Sequence, residues 1–136
     1  GCGRTGCLEQ YASATGIVRL AKRRLVNNTD DTVLNIDDVT AKDVFDAVKA
    51  GDKVAMEIAE DFGKYLGNAL SDIAVILDPD LFVIGGGVSR AGEVLLDYIK
   101  KNYMKKALWD NSKVEFSLAE LGNDAGMYGA AKLALE

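Results

Sequence analysis

The sequence predicts an α/β fold, rich in helix and with a short parallel sheet, and three observations carry that prediction. Val54, Ile58, Phe62, Leu66, Ala69, Ile73 and Leu77 recur at spacings of four and three, which marks one long amphipathic helix over residues 53–77. Leu81-Phe82-Val83-Ile84 is an unbroken apolar run leading straight into Gly85-Gly86-Gly87, as a strand buried on both faces of a parallel sheet reads. Val114, Phe116 and Leu118 alternate with polar neighbours after a further helical segment, so strand, helix and strand make a parallel crossover.

The remaining elements follow in chain order. Tyr11, Ala14, Val18, Ala21 and Leu25 share a helical face, while Ser13 and Thr15 beside Gly16 divide it into two pieces meeting near Ser13. Asn27 to Asp38 is polar and reads as a loop. Thr40 and Asp43 resemble a capping box for a helix carrying Val44, Phe45, Ala47 and Val48, which Gly51 stops and after which Asp52 caps the long helix.

Gly63 and Gly67 lie four apart inside that helix. Each costs about 1 kcal/mol relative to alanine, so the pair predicts close approach of another backbone. Pro79, the only proline, closes the helix and opens the strand. Ser89 is placed to cap a helix bearing Val94, Leu95, Tyr98 and Ile99. Asn123 and Asp124 are placed to cap a last helix, in which Gly126, Gly129, Ala130 and Ala134 form a small-residue surface suited to tight packing.

Composition narrows the function classes. The chain has 136 residues, 49% hydrophobic and 27% charged, enough for one globular core and short for two. A net charge of −5 with no basic run argues against nucleic acid and anionic membranes as partners. No run of 18 apolar residues and no charged-then-apolar leader is visible, so the reading is cytoplasmic, which suits reduced cysteines.

Chemistry concentrates at two places. Cys2-Gly3-Arg4-Thr5-Gly6-Cys7-Leu8-Glu9 sets two thiols around two glycines, a spacing that can fold back on one ion. Tetrahedral structural zinc needs four protein ligands, and with no histidine and no third cysteine the chain supplies two. The same cysteines read equally as free thiols or a disulfide, and Glu9 alone as a solvated glutamate at a helix start. The second place is Gly85-Gly86-Gly87, where a backbone without Cβ atoms lies beyond the carboxyl end of a strand, the usual ligand position in open α/β sheets. Exposed amides there, with the following helix N-terminus, suit phosphate or the edge of a nucleotide. A tight turn needed for packing is the competing reading.

Cys-Gly-x-x-Gly-Cys-x-Glu continuing into Gln10-Tyr11-Ala12-Ser13 resembles the motif of the ROK family (repressor, open reading frame, kinase), within it the bacterial glucokinases. Pro79 to Ser89 is similar to that family's nucleotide-binding segment, and Leu121 to Ala131 to its closing helix. The resemblance implies residues 1–136 as one domain, the C-terminal part of an actin-like, ribonuclease H-like sugar kinase domain. It assigns Glu9 to sugar hydroxyls, Gly85, Gly86 and Gly87 to the adenosine part of ATP, and Cys2 and Cys7 to zinc. The implied reaction is ATP-dependent phosphorylation of the 6-hydroxyl of glucose, with magnesium on the phosphates and structural zinc in the intact parent.

The family's phosphate loop, catalytic aspartate, first cysteine and histidine belong before this motif, so no catalytic residue is assigned and the chain alone is expected to be inactive. Asn35-Ile36-Asp37 has the letters of the aspartate's setting but follows the motif, and reads as a turn before the Thr40 helix. Alternatives within the family are a kinase for fructose, mannose or an N-acetylhexosamine, and the effector domain of a sugar-responsive repressor. A short sheet with an exposed edge and uncovered apolar helix faces predicts a homo-oligomer.

Overall fold

The computed structural model describes residues 2–135, with the side chains of Asp110 and Asn123 outside the description. Its elements run α1 (Ala14–Leu25), α2 (Ala41–Lys49), α3 (Lys53–Leu77), β1 (Leu81–Ile84), α4 (Glu93–Lys106), β2 (Glu115–Leu118) and α5 (Ala125–Leu135), with short 3₁₀ turns at Leu8–Gln10, Gly87–Ala91, Trp109–Lys113 and Gly122–Asp124. The helix boundaries have local causes. The Ser13 hydroxyl accepts from the Gly16 N–H at 3.0 Å and starts α1. Thr40 and Asp43 form the reciprocal capping box of α2. Asp52 accepts from the Ala55 N–H at 2.9 Å and starts α3.

Between α1 and α2 the polar segment is a loop, and the Asp37 N–H donates to the Asn35 side chain at 3.1 Å, an Asx turn. The stop of α3 falls one residue before the proline: Asp78 adopts a left-handed conformation, φ 42° and ψ 58°, and its N–H still reaches the Ala74 carbonyl.

α3 is the spine of the molecule and packs against α1, α2 and α4. The core between them holds Ile17, Phe45, Ile58, Phe62, Leu95 and Ile99, all essentially inaccessible. Two glycines let α4 lie directly on α3. A methyl carbon on Gly63 would stand 2.5 Å from the Tyr98 carbonyl oxygen, and one on Gly67 would stand 2.7 Å from that of Ile99.

β1 and β2 pair in parallel, Leu81 with Glu115 through Ile84 with Leu118. Phe82 and Phe116 turn inward onto Tyr103 of α4, their ring centroids 6.1 and 5.0 Å from it. The expectation of a strand buried on both faces is corrected here. Leu81 and Val83 are 44% and 57% exposed, because α4 covers one face of this two-stranded sheet and the other faces solvent.

Two further expectations change. Ser89 does not cap α4; it sits within the 3₁₀ turn Gly87–Ala91 and donates its hydroxyl to the Gly86 carbonyl at 2.8 Å, while Gly92 precedes the helix. The small-residue surface of α5 is unpacked, since no residue of that helix is buried and the space around Gly126 and Gly129 is open. α5 meets the turn that precedes it, and its Met127, Tyr128, Leu133 and Leu135 face solvent. The Asn123 cap lies outside the described side chains. Among the described residues no helix is long and apolar enough to cross a membrane.

Candidate functional site

Gly85, Gly86 and Gly87 follow the last residue of β1 and are exposed, at the carboxyl end of the sheet. Gly86 has φ 78° and ψ −166°, a region that is almost exclusively glycine's. A Cβ on Gly85 would come within 3.2 Å of the Ala119 Cβ, because Ala119 continues the ladder by donating to the Ile84 carbonyl at 2.9 Å. Ala119 was not visible as a site residue in the sequence. Its one signal is position, a small residue just past the parallel partner strand.

The helix next to these glycines is short. α4 begins only at Glu93, after Gly92 at φ 82°, so a five-residue 3₁₀ turn, Gly87–Ala91, and Gly92 separate the glycines from that helix in sequence. The turn Gly87–Ala91 packs on α2 and α4, and its first residue lies near the start of α1. A Cβ on Gly87 would lie 3.7 Å from the Cβ of Ala14, the first residue of that helix.

That proximity brings the two ends of the motif pattern near one another. Ser13, which caps α1, also donates its hydroxyl to the Glu9 carbonyl at 2.7 Å. Glu9 lies on the 3₁₀ turn Leu8–Gln10 with its side chain exposed. Tyr11, just past it, stacks on Tyr65 of α3 with centroids 4.4 Å apart, which fixes the segment to the spine.

The cysteines converge as well. Cys2 and Cys7 place their sulfurs 3.4 Å apart, on a loop that Gly3 and Gly6 bend with φ near 75°: 73° and 76°. The Arg4 backbone N–H and the Cys7 thiol hold the Cys2 thiol below its ordinary pKa, and the hydrogen bond with Cys2 pushes Cys7 up. Two thiolates on one tetrahedral zinc would be about 3.8 Å apart, so the pair fits half of such a ligand set. Among the described residues no group of three or more His, Cys, Asp or Glu side chains gathers for a metal. A wider concavity of about 900 Å³ lies away from these residues, between the 29–33 loop and the start of α3. Its Asp52 carboxylate is already engaged by Thr32, Val33 and Ala55.

The profile of the ROK family matches residues 1–136. The chain belongs to the ROK family. Within it, the glucokinase of Halalkalibacterium halodurans is 44% identical over 137 residues, which take in 97% of this chain and 42% of that protein. The DNA-binding transcriptional repressor Mlc of Escherichia coli is 30% identical, over 96% of this chain and 32% of its own. The crystal structure of a ROK family glucokinase from Streptomyces griseus, in complex with glucose and AMPPNP, superposes with a TM-score of 0.85 at 34% identity, covering 97% of this chain and 45% of that one. The fold is therefore that of the actin-like ROK sugar kinases, represented by its helix-rich part. This ROK chain spans under half the length of the glucokinases it matches.

Proposed function

We propose that residues 1–136 are a single domain forming the C-terminal portion of an ATP-dependent glucokinase, a cytoplasmic homo-oligomer that does not engage nucleic acid or membrane. The proximity of Gly87 to Ala14, with room for one carbon between them, carries the proposal, because it supports one site shared by the glycine turn and the Glu9 segment. Similarity to glucokinases over nearly the whole chain supports the same reading.

In this account Gly85, Gly86 and Gly87 lie flat against the adenosine part of ATP. The Glu9 carboxylate, with two acceptor oxygens, orients vicinal hydroxyls of the hexose. The 6-hydroxyl oxygen then attacks the γ-phosphorus, the bond to the ADP oxygen breaks, and the hydroxyl proton passes to a base. That base and the phosphate loop lie in segments other than this one, so the contribution here is positioning. Magnesium, when it accompanies ATP, neutralises phosphate charge. Cys2 and Cys7 would hold zinc as two of its four ligands and so stiffen the loop leading into Glu9.

Calorimetry on the longer protein carrying this chain tests the assignment. Glu9→Gln should weaken glucose binding by about tenfold or more, the scale of a hydrogen bond to a charged group, and leave AMPPNP binding unchanged. Gly86→Val should do the reverse. Retention of full affinity for both ligands in both variants would overturn the assignment. The similarity to Mlc favours a second reading, the effector domain of a repressor; glucose-dependent ADP release by the longer protein would exclude it.

A further inference from the structure

A groove of about 360 Å³ lies between the Cys2–Cys7 loop and α1, and three arginines line it: Arg4, Arg19 and Arg23. Thr5 and Gln10 add polar groups to it, while Gly6, Leu20 and Tyr11 make the rest of a largely apolar floor. Arg19 and Arg23 stand at i and i+4 on α1, where like charges repel by a few tenths of a kcal/mol.

The local structure does not offset that repulsion. Arg24, one residue further on, is fully engaged, with Glu57 at 2.6 Å and with Asp30 and Asn28 each at 2.7 Å. Arg4 and Arg19 form no ion pair or side-chain hydrogen bond among the described residues. Arg23 approaches Asp61 only at 3.9 Å, and the other oxygen of that carboxylate is held by Lys64 at 3.0 Å. The α1 macrodipole favours cations in its last turn and so accounts for Arg23 and Arg24. It does not account for Arg19 in the middle of the helix, nor for Arg4 on the facing loop.

A positive groove in a chain of net charge −5 is a selective feature. Guanidinium forks match the paired oxygens of phosphate, and three of them exceed what a single carboxylate would neutralise. The walls are also held in place. Tyr11 stacks on Tyr65, and Leu20 and Ala21 anchor α1 in the core. We propose that this groove is a binding site for a small phosphate-bearing anion, gripped by Arg4, Arg19 and Arg23 with the Thr5 hydroxyl and the Gln10 amide as further donors. The site is separate from the glycine turn and does not depend on the hexose reading.

The test titrates inorganic pyrophosphate into the longer protein by calorimetry, without sugar or nucleotide, with citrate as the carboxylate comparison. Saturable binding that weakens with added salt is expected. The double variant Arg19→Ala/Arg23→Ala should raise the Kd by about tenfold or more, and Arg19→Lys/Arg23→Lys should recover only part of it, since charge returns without the fork. Gly86→Val should leave pyrophosphate binding intact, which separates this site from the nucleotide. Both arginines are exposed, so an unchanged unfolding midpoint checks that the variants fold. Absence of pyrophosphate binding, equal affinity for citrate, or affinity undiminished in the alanine double variant would each overturn the proposal.

Discussion

Gly63 on α3 faces the Tyr98 carbonyl of α4 so closely that a methyl carbon at Gly63 would stand 2.5 Å from that oxygen. Helix propensity alone favours alanine there by about 1 kcal/mol. The clash is with backbone, which cannot rotate away, so Gly63→Ala should be destabilising by about 1–3 kcal/mol. Urea unfolding of the variant checks this; a rise in stability would show that the two helices can separate without loss.

Asp52 ties the 27–38 loop to α3, taking the Thr32 hydroxyl at 2.8 Å and the Val33 N–H at 2.9 Å on one oxygen and the Ala55 N–H on the other. Burial opposes ionisation of this carboxyl, but the hydrogen bonds from Ala55, Val33 and Thr32 outweigh it and hold its pKa below the ordinary value. A depressed folded pKa means stability that is present above the unfolded carboxylate pKa of about 4 and is lost as pH falls through the lower folded value. Asp52→Ala should cost about 1–2 kcal/mol at neutral pH, and its stability should decline less steeply in acid than that of the parent. Parallel slopes in unfolding curves taken across the acid range would contradict the assignment.

The three glycines of the turn should respond unequally to alanine. Gly86→Ala meets a backbone region hostile to side chains and should cost about 1–3 kcal/mol. Gly85→Ala must displace Ala119 by a few tenths of an ångström, and Gly87→Ala makes an ordinary contact with Ala14. The expected order of damage in thermal unfolding is Gly86, then Gly85, then Gly87.

Cys2 and Cys7 should differ in reactivity. Because the Arg4 N–H and Cys7 favour the Cys2 thiolate while Cys7 is held protonated, alkylation by iodoacetamide near neutral pH should mark Cys2 first. Peptide mass mapping at partial modification reads the order. Equal labelling would mean that the hydrogen-bonded pair does not persist in solution.

The local elements were legible because their causes are local. The Thr40–Asp43 box, the Ser13 and Asp52 caps, and the 3.6-residue stripe of α3 each involve residues within a turn or two of one another. Gly63 and Gly67 could be read as a close approach because no helix gains from glycine otherwise, although their partner, α4, was not identified. Ser89 reads as a cap because it is a serine two residues after a glycine turn, while the positive φ of Gly92 delays the helix to Glu93.

By itself the sequence determined the helices, the parallel strand pair and the kinship carried by the cysteine and glycine motifs, since periodicity, capping and motif spacing are written along the chain. Only the tertiary structure decided which face of β1 is covered, that Gly87 lies near Ala14, and that Arg4 lines one groove with Arg19 and Arg23. Those are meetings between residues distant in sequence or on facing segments, set by how α1, α3 and α4 pack around their shared apolar core.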